Sequence, residues 1–132
     1  MSQENVEVVR RCLEAWNRGD LDAWVELFDE QAEFFALRSQ LEGEPYRGHE
    51  GLRQFLVDFD GEWEYVRFSR LEIRDAGEQV VALAQWDARG RASGIELHVP
   101  VGLVATVRRG RIINLRFFSD PEEALKAVGL SE

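Results

Sequence analysis

The chain has 132 residues, 45% of them hydrophobic, which is enough for one buried core, and its single cysteine excludes both a disulfide framework and a thiolate-rich zinc site. The 25 acidic residues outnumber the 16 basic ones to give a formal net charge of −9, which argues against nucleic acid or an anionic membrane surface as a partner. Met1 to Val6 lack the basic start and apolar run of a secretory signal, and no stretch approaches the ~20 apolar residues that span a bilayer, so one cytoplasmic domain over residues 1–132 is expected.

In chain order, Val6, Val9, Leu13 and Trp16 fall three and four residues apart, which predicts a first helix with one apolar face. Asn17-Arg18-Gly19-Asp20 ends it, with Gly19 suited to a left-handed cap and Asp20 to capping the next helix. Leu21, Trp24, Val25 and Phe28 form the stripe of that second helix, and Ala32 to Leu37 reads as an edge strand. Arg38 to Gly48, with two glycines and Pro45, has no periodicity and is expected to be a loop at a pocket rim. Leu52, Phe55, Leu56 and Phe59 predict a third helix over about Glu50 to Phe59.

Strands follow at Trp63 to Arg74, Gln79 to Arg89, Ile95 to Val107 and Arg111 to Phe118, separated by glycine-containing turns and expected to be sequential antiparallel neighbours. Asp120-Pro121-Glu122-Glu123 then supplies a cap, a proline at the first helical position and a reciprocal glutamate for a short last helix. Alternation puts Ile95, Leu97, Val99, Val101, Leu103, Ala105 and Val107 on the core face of the long strand, and Ile113, Leu115 and Phe117 on that of the last strand. The opposite face is mixed, and a homodimer is expected through it, with His98, Val104, Thr106, Ile112, Asn114, Arg116 and Phe118 at the interface. Pro100 and Gly102 suggest a bulge that curls the sheet into a cup.

The sequences Ala15-Trp16-Asn17-Arg18-Gly19-Asp20-Leu21-Asp22-Ala23, Tyr46-Arg47-Gly48-His49-Glu50-Gly51 and Phe118-Ser119-Asp120-Pro121-Glu122-Glu123-Ala124-Leu125 carry a family resemblance. With the order of three helices, a long meander and a capped helix, the chain resembles the superfamily of nuclear transport factor 2 (NTF2), ketosteroid isomerase and SnoaL-like polyketide cyclases. The resemblance implies an α+β cone: three N-terminal helices on a strongly curved mixed or antiparallel sheet, with a short C-terminal helix. It also implies that the isomerase's phenol, base and protonated acid fall at Cys12, Ala36 and Leu103. A thiol donates poorly and alanine and leucine not at all, so isomerase chemistry is not expected. The fold hosts enzymes and non-enzymes alike, so the site must decide.

Cys12, Trp16, Phe35, Phe55, Phe59, Trp86, Leu103, Leu115 and Phe117 are expected to line the pocket. Strand parity turns His98 and Glu96 outward unless the bulge reverses them, in which case His98 becomes an acid–base candidate. Tyr46 could reach over the pocket mouth, and His49 reads as a helix-capping residue. No glycine-rich nucleotide loop follows a strand, and two widely spaced histidines make a poor metal set, so neither cofactor nor metal is indicated. The leading expectation is a pocket for a small apolar ligand without assigned catalysis. The alternatives are a cyclase, isomerase or dehydratase with His98, Tyr46 or a carboxylate as the acid–base group in the pocket, and a protein-interaction module using the outer face.

Overall fold

The structure, a computed structural model, describes residues 2–130. Helix α1 (Ser2–Arg18) buries Val9 and Leu13 of the predicted stripe together with Val8, Cys12 and Ala15, while Val6 and Trp16 are half-buried against the same core. It ends at Gly19, whose φ of +76° is the left-handed value that glycine takes without penalty. Asp20 then caps α2 (Leu21–Glu26) by accepting a hydrogen bond from the Ala23 amide at 3.2 Å. Contrary to the expected helix through Phe28, α2 stops at Glu26, and Phe28 opens strand β1 (Phe28–Phe35). The periodicity at Phe28 belongs to burial rather than to helix, because its ring packs back on Trp24 at a centroid distance of 5.0 Å.

The expected loop after β1 contains α3 (Leu37–Glu42) and the two-residue strand β2 (Tyr46–Arg47). One turn of helix is too short to leave a periodic signal. The third predicted helix is α4 (Gly48–Glu62), and it is followed by β3 (Trp63–Ala76), β4 (Gln79–Gly90), β5 (Glu96–Arg108), β6 (Arg111–Phe118) and α5 (Pro121–Ala127). The six strands form one curved, unclosed sheet in the order β2-β1-β6-β5-β4-β3. β3 to β6 are sequential antiparallel neighbours, whereas β1 pairs parallel to β6 and antiparallel to β2. The outermost strand on that side is therefore β2, not β1 as expected.

Curvature does not come from Pro100 and Gly102. The β4–β5 ladder runs without a break from Gln79 opposite Thr106 to Arg89 opposite Glu96. Its irregularities lie in the flanking strands: β3 shifts register between Ser69 and Glu72, where Arg70 has φ of +55°, and β6 carries one extra residue against β5. An extra residue bends and twists the strand that holds it. Gly102 instead answers to α5, because a β-carbon there would sit 2.5 Å from the Ala124 methyl.

The Trp-Asn pair in the first family-like sequence closes the outer edge of β3. Trp16 Nε1 donates to the Val66 carbonyl at 2.8 Å, while Asn17 both donates to the Phe68 carbonyl at 2.8 Å and accepts from its amide at 2.9 Å. Edge backbone that would otherwise be left for another chain is thereby satisfied within the fold. At the other side, His49 Nε2 lies 2.7 Å from the Phe28 carbonyl and ties the start of α4 to β1. Gly48, with φ of +69°, lets the backbone pass where a β-carbon would meet the Glu30 carbonyl at 2.9 Å.

Candidate functional site

The concave face of the sheet and helices α1, α2 and α4 do not fill the space between them. A cavity of about 480 Å³ remains, and α1 sends Cys12, Leu13 and Trp16 into its wall. Trp24 from α2, Phe34 from β1, Phe55 and Phe59 from α4, and Trp63, Phe68 and Trp86 from β3 and β4 make most of the rest. These rings meet edge to face: Phe34 with Phe55 at 4.7 Å, Trp16 with Phe59 at 5.0 Å and Trp63 with Trp86 at 4.7 Å. The aromatic packing holds the walls in place without closing them.

Eight of the nine residues expected to line a pocket border this cavity: Cys12, Trp16, Phe55, Phe59, Trp86, Leu103, Leu115 and Phe117. Phe35 does not, and Phe34 stands in its place. The alternation Ala32, Phe34, Ala36, all buried, carries this parity, and Ala36 itself lines the cavity. Since the resemblance had already put Ala36 inside, the same period of two assigns Phe34, not Phe35.

Ala36 and Leu103, at isomerase catalytic positions, present only carbon side chains to the cavity, and Cys12 presents a thiol. Burial pushes that thiol from 9.0 up to about 12, because a thiolate loses its hydration there; a hydrogen bond with Trp24 opposes this. Cys12 is therefore a neutral wall group at physiological pH. Its native-state pKa exceeds that of the unfolded chain, so its favourable contribution to stability is complete below about pH 9 and is lost as pH rises toward 12. Ellman's reagent is expected to leave the native thiol unlabelled at pH 8 and to label it fully in 8 M urea, and rapid native labelling would refute an enclosed thiol.

The polar groups of the wall are Glu42 from α3, Tyr46 from β2, and Asp58 and Glu62 from α4. Tyr46 donates its phenolic hydrogen to Asp58 Oδ2 at 2.9 Å, and Gln54 Nε2 donates to Asp58 Oδ1 at 2.8 Å. Of these four, sequence reasoning singled out only Tyr46. A signal for two others existed: Asp58 and Glu62 lie three residues beyond Phe55 and Phe59, so the apolar face of α4 carries carboxylates on its flank.

His98 is on the other side of the sheet. Its side chain is 56% exposed, and Nδ1 lies 2.7 Å from Asp87 Oδ1. Asp87 also accepts from Ser69 Oγ at 2.6 Å and from Gln85 Nε2 at 2.7 Å. The Ser69 hydrogen bond, followed by those from His98 and Gln85, lowers the Asp87 carboxyl to about 2. Glu96 faces outward as well and pairs with Arg89. His98 is thus no acid–base group for the cavity, since the bulge needed to turn it inward is absent.

The residues expected on the outer face do not all lie there. Ile112 is fully buried in the concave core, because the extra residue in β6 brings Ile112, Leu115 and Phe117 to one side and leaves Ile113 outside the ladder. Val104 does face outward, but it is buried against Ala124 and Leu125 of α5. Phe118 is half-buried beside the same cluster, with the Arg116 guanidinium 4.9 Å from its ring centre. Thr106 is half-buried and within reach of Gln79, Asn114 is half-buried, and Arg116 and His98 are exposed.

The sequence pattern of the SnoaL-like domain matches residues 9–115. No curated protein matches the chain. Among solved structures, a candidate polyketide cyclase from Xanthomonas campestris superposes with a TM-score of 0.79 at 20% identity, covering 97% of this chain and 98% of that one. An NTF2-like protein of unknown function from Burkholderia pseudomallei gives 0.79 at 19% identity, covering 96% and 98%. A protein of ketosteroid isomerase-like fold from Catenulispora acidiphila, in complex with trimethylamine, gives 0.75 at 19% identity, covering 94% and 93%. At such identities the likeness is one of fold. With the pattern spanning most of the chain and the fold agreeing along nearly all of it, the protein belongs to the SnoaL-like domain family.

Proposed function

We propose that the protein binds a compact, mainly apolar small molecule in this cavity. The observation that carries the reading is the cavity itself: about 480 Å³ with aromatic and aliphatic walls and a few polar side chains. Ligand sites of small domains have this size and this balance of carbon to polar groups. A relative of the same fold, known in complex with trimethylamine, supports small-molecule binding as a use to which the fold is put.

All four tryptophans of the chain, Trp16, Trp24, Trp63 and Trp86, line the cavity, so intrinsic fluorescence reports on its contents directly. Titration with tetralin, an uncharged bicyclic hydrocarbon, is expected to change the emission saturably. Ala36→Phe puts a ring into the same space and is expected to weaken that binding at least ~tenfold while leaving the far-UV circular dichroism unchanged. A non-saturable response, or equal binding by the folded variant, would count against the proposal.

A second reading, acid–base catalysis, is favoured by the Tyr46–Asp58 hydrogen bond on the cavity wall. Asp58 can take a proton from carbon beside a carbonyl, and as it does so the Tyr46 hydroxyl, released from that carboxylate, turns its one O–H to the oxygen on which charge develops. Exchange of the α-protons of 1-tetralone with D2O, followed by NMR, tests this. Asp58→Asn should abolish any protein-dependent exchange, and Tyr46→Phe should slow it with affinity retained. Exchange no faster than in buffer would leave the binding reading alone.

A further inference from the structure

We infer that the molecule seated in this cavity carries an apolar tail, which passes Trp86 and lies in the open along Val99 and Leu97 of β5 and Ile95 just before it. The inference rests on the binding reading above and adds the shape of the ligand outside the cavity. Six large hydrophobic side chains are exposed among the described residues, and Leu21, Leu37 and Val57 stand on three different helices. The other three form a row: Ile95 is 60% exposed, Leu97 37% and Val99 38%. The β4–β5 ladder is unbroken from Glu96 to Thr106, so this row has the parity of Val101 and Leu103, which are buried in the core. Val99 lies opposite Trp86, and both Trp86 and Leu103 line the cavity. The row therefore carries the cavity wall on beyond its last ring, for about 13 Å at the rise of a strand.

The surroundings of the row select what covers it. On the same face β4 offers Ala88 opposite Leu97 and Gly90 hydrogen-bonded to Ile95, neither with a polar side chain. The surface is fixed in place: the Arg91 amide donates to the Glu62 carbonyl at 3.0 Å and its Nε to the Asp60 carbonyl at 2.7 Å, which ties the hairpin to the end of α4. A second protein chain fits this row poorly. Three part-exposed side chains fall far short of the roughly 800 Å² per partner that a specific interface buries. Strand addition is guarded against as well. β6 pairs with β5 only from Gly102 onward, and no strand lies beside the earlier edge among the described residues. The odd-numbered residues of β5 direct their backbone groups to β4, as the Val107 amide does to the Glu78 carbonyl at 3.2 Å. The bare edge thus belongs to Glu96, His98 and Pro100, of which proline has no N–H and the other two carry exposed polar side chains. A thin apolar tail, continuous with a body inside the cavity, needs neither a broad face nor an open edge.

A series of phenylalkanols of increasing length tests this: 2-phenylethanol, 4-phenylbutan-1-ol, 6-phenylhexan-1-ol and 8-phenyloctan-1-ol, titrated by tryptophan fluorescence. Affinity is expected to keep rising through the longest probe, by about twofold per methylene once the cavity is filled, roughly half the free-energy gain of full burial. In the I95T/L97T/V99T variant, whose threonines suit an exposed strand, 2-phenylethanol should bind as before while 8-phenyloctan-1-ol loses about tenfold. Ile95→Thr alone should weaken only the longest probe, and it decides the outcome if the triple variant no longer binds 2-phenylethanol. An affinity that levels off while 2-phenylethanol still binds overturns the tail and leaves the compact-molecule reading standing. A length dependence that survives the substitutions, or a wild-type dimer in sedimentation that they dissociate, overturns it as well. If no probe of the series binds, both readings fall together.

Discussion

Phe28→Ala is expected to remove about 3–5 kcal/mol of folding stability, a large share of the 5–15 kcal/mol that holds a typical domain together. Phe28 is fully buried where α2 gives way to β1, with ring centroids 5.0 Å from Trp24 and 6.5 Å from Phe34. Its own backbone carbonyl is the partner of His49, so the position joins helix α2, the first strand and the start of α4. Truncation deletes apolar contact and leaves a void that Trp24 and Phe34 cannot close, because both already line the cavity on their other side. The urea midpoint should fall while the slope of the transition stays the same. Val57→Ala, at a position 66% exposed on α4, should change stability by less than about 0.5 kcal/mol under the same conditions. Similar losses for the two variants would refute the packing described for Phe28.

Gly102→Ala should cost about 1–3 kcal/mol through overpacking, although it adds only a methyl group. The β-carbon would meet the Ala124 methyl at 2.5 Å and the Pro121 α-carbon at 3.3 Å, neither of which is the free end of a long side chain. α5 must therefore lift, and its lifting uncovers Val81, Val104 and Leu125. Ala124→Gly in the same chain removes the obstructing methyl and should restore part of the loss, less the ~1 kcal/mol that glycine costs within a helix. Thermal melts of the two single variants and the double variant decide it. Additive losses, with no rescue, would mean that the strand and helix are not in direct contact.

Both substitutions probe packing between distant parts of the chain, and there sequence and tertiary structure divide their roles. The helical stripes of α1 and α4, the four long strands, and the Asp20 and Asp120 caps were all legible from spacing, since each depends on residues within about one turn or one strand of each other. The composition of the cavity wall was largely legible too: Cys12, Trp16, Phe55, Phe59, Trp86, Leu103, Leu115 and Phe117 share the core parity of their own elements. Two of the errors concern where a ladder is irregular. Period-two reasoning holds only while a ladder gains no residue, and β6 gains one, so Ile112 came to the core side with Leu115 and Phe117. Where a ladder was wrongly given a bulge, at Pro100 and Gly102, the glycine was answering to α5 rather than to the strand.

By itself, then, the sequence determined the long helices and strands, which face of most of them is apolar, and that Cys12 would sit among aromatic rings, while α3, β2 and the start of β1 escaped it. Only the tertiary structure decided that α5 covers Val104, that His98 bonds Asp87 on the outer face, and that Glu42, Tyr46, Asp58 and Glu62 meet around one cavity. Local conformation follows from neighbours along the chain, whereas an unfilled volume and the charges around it depend on how separate elements come to rest against one another.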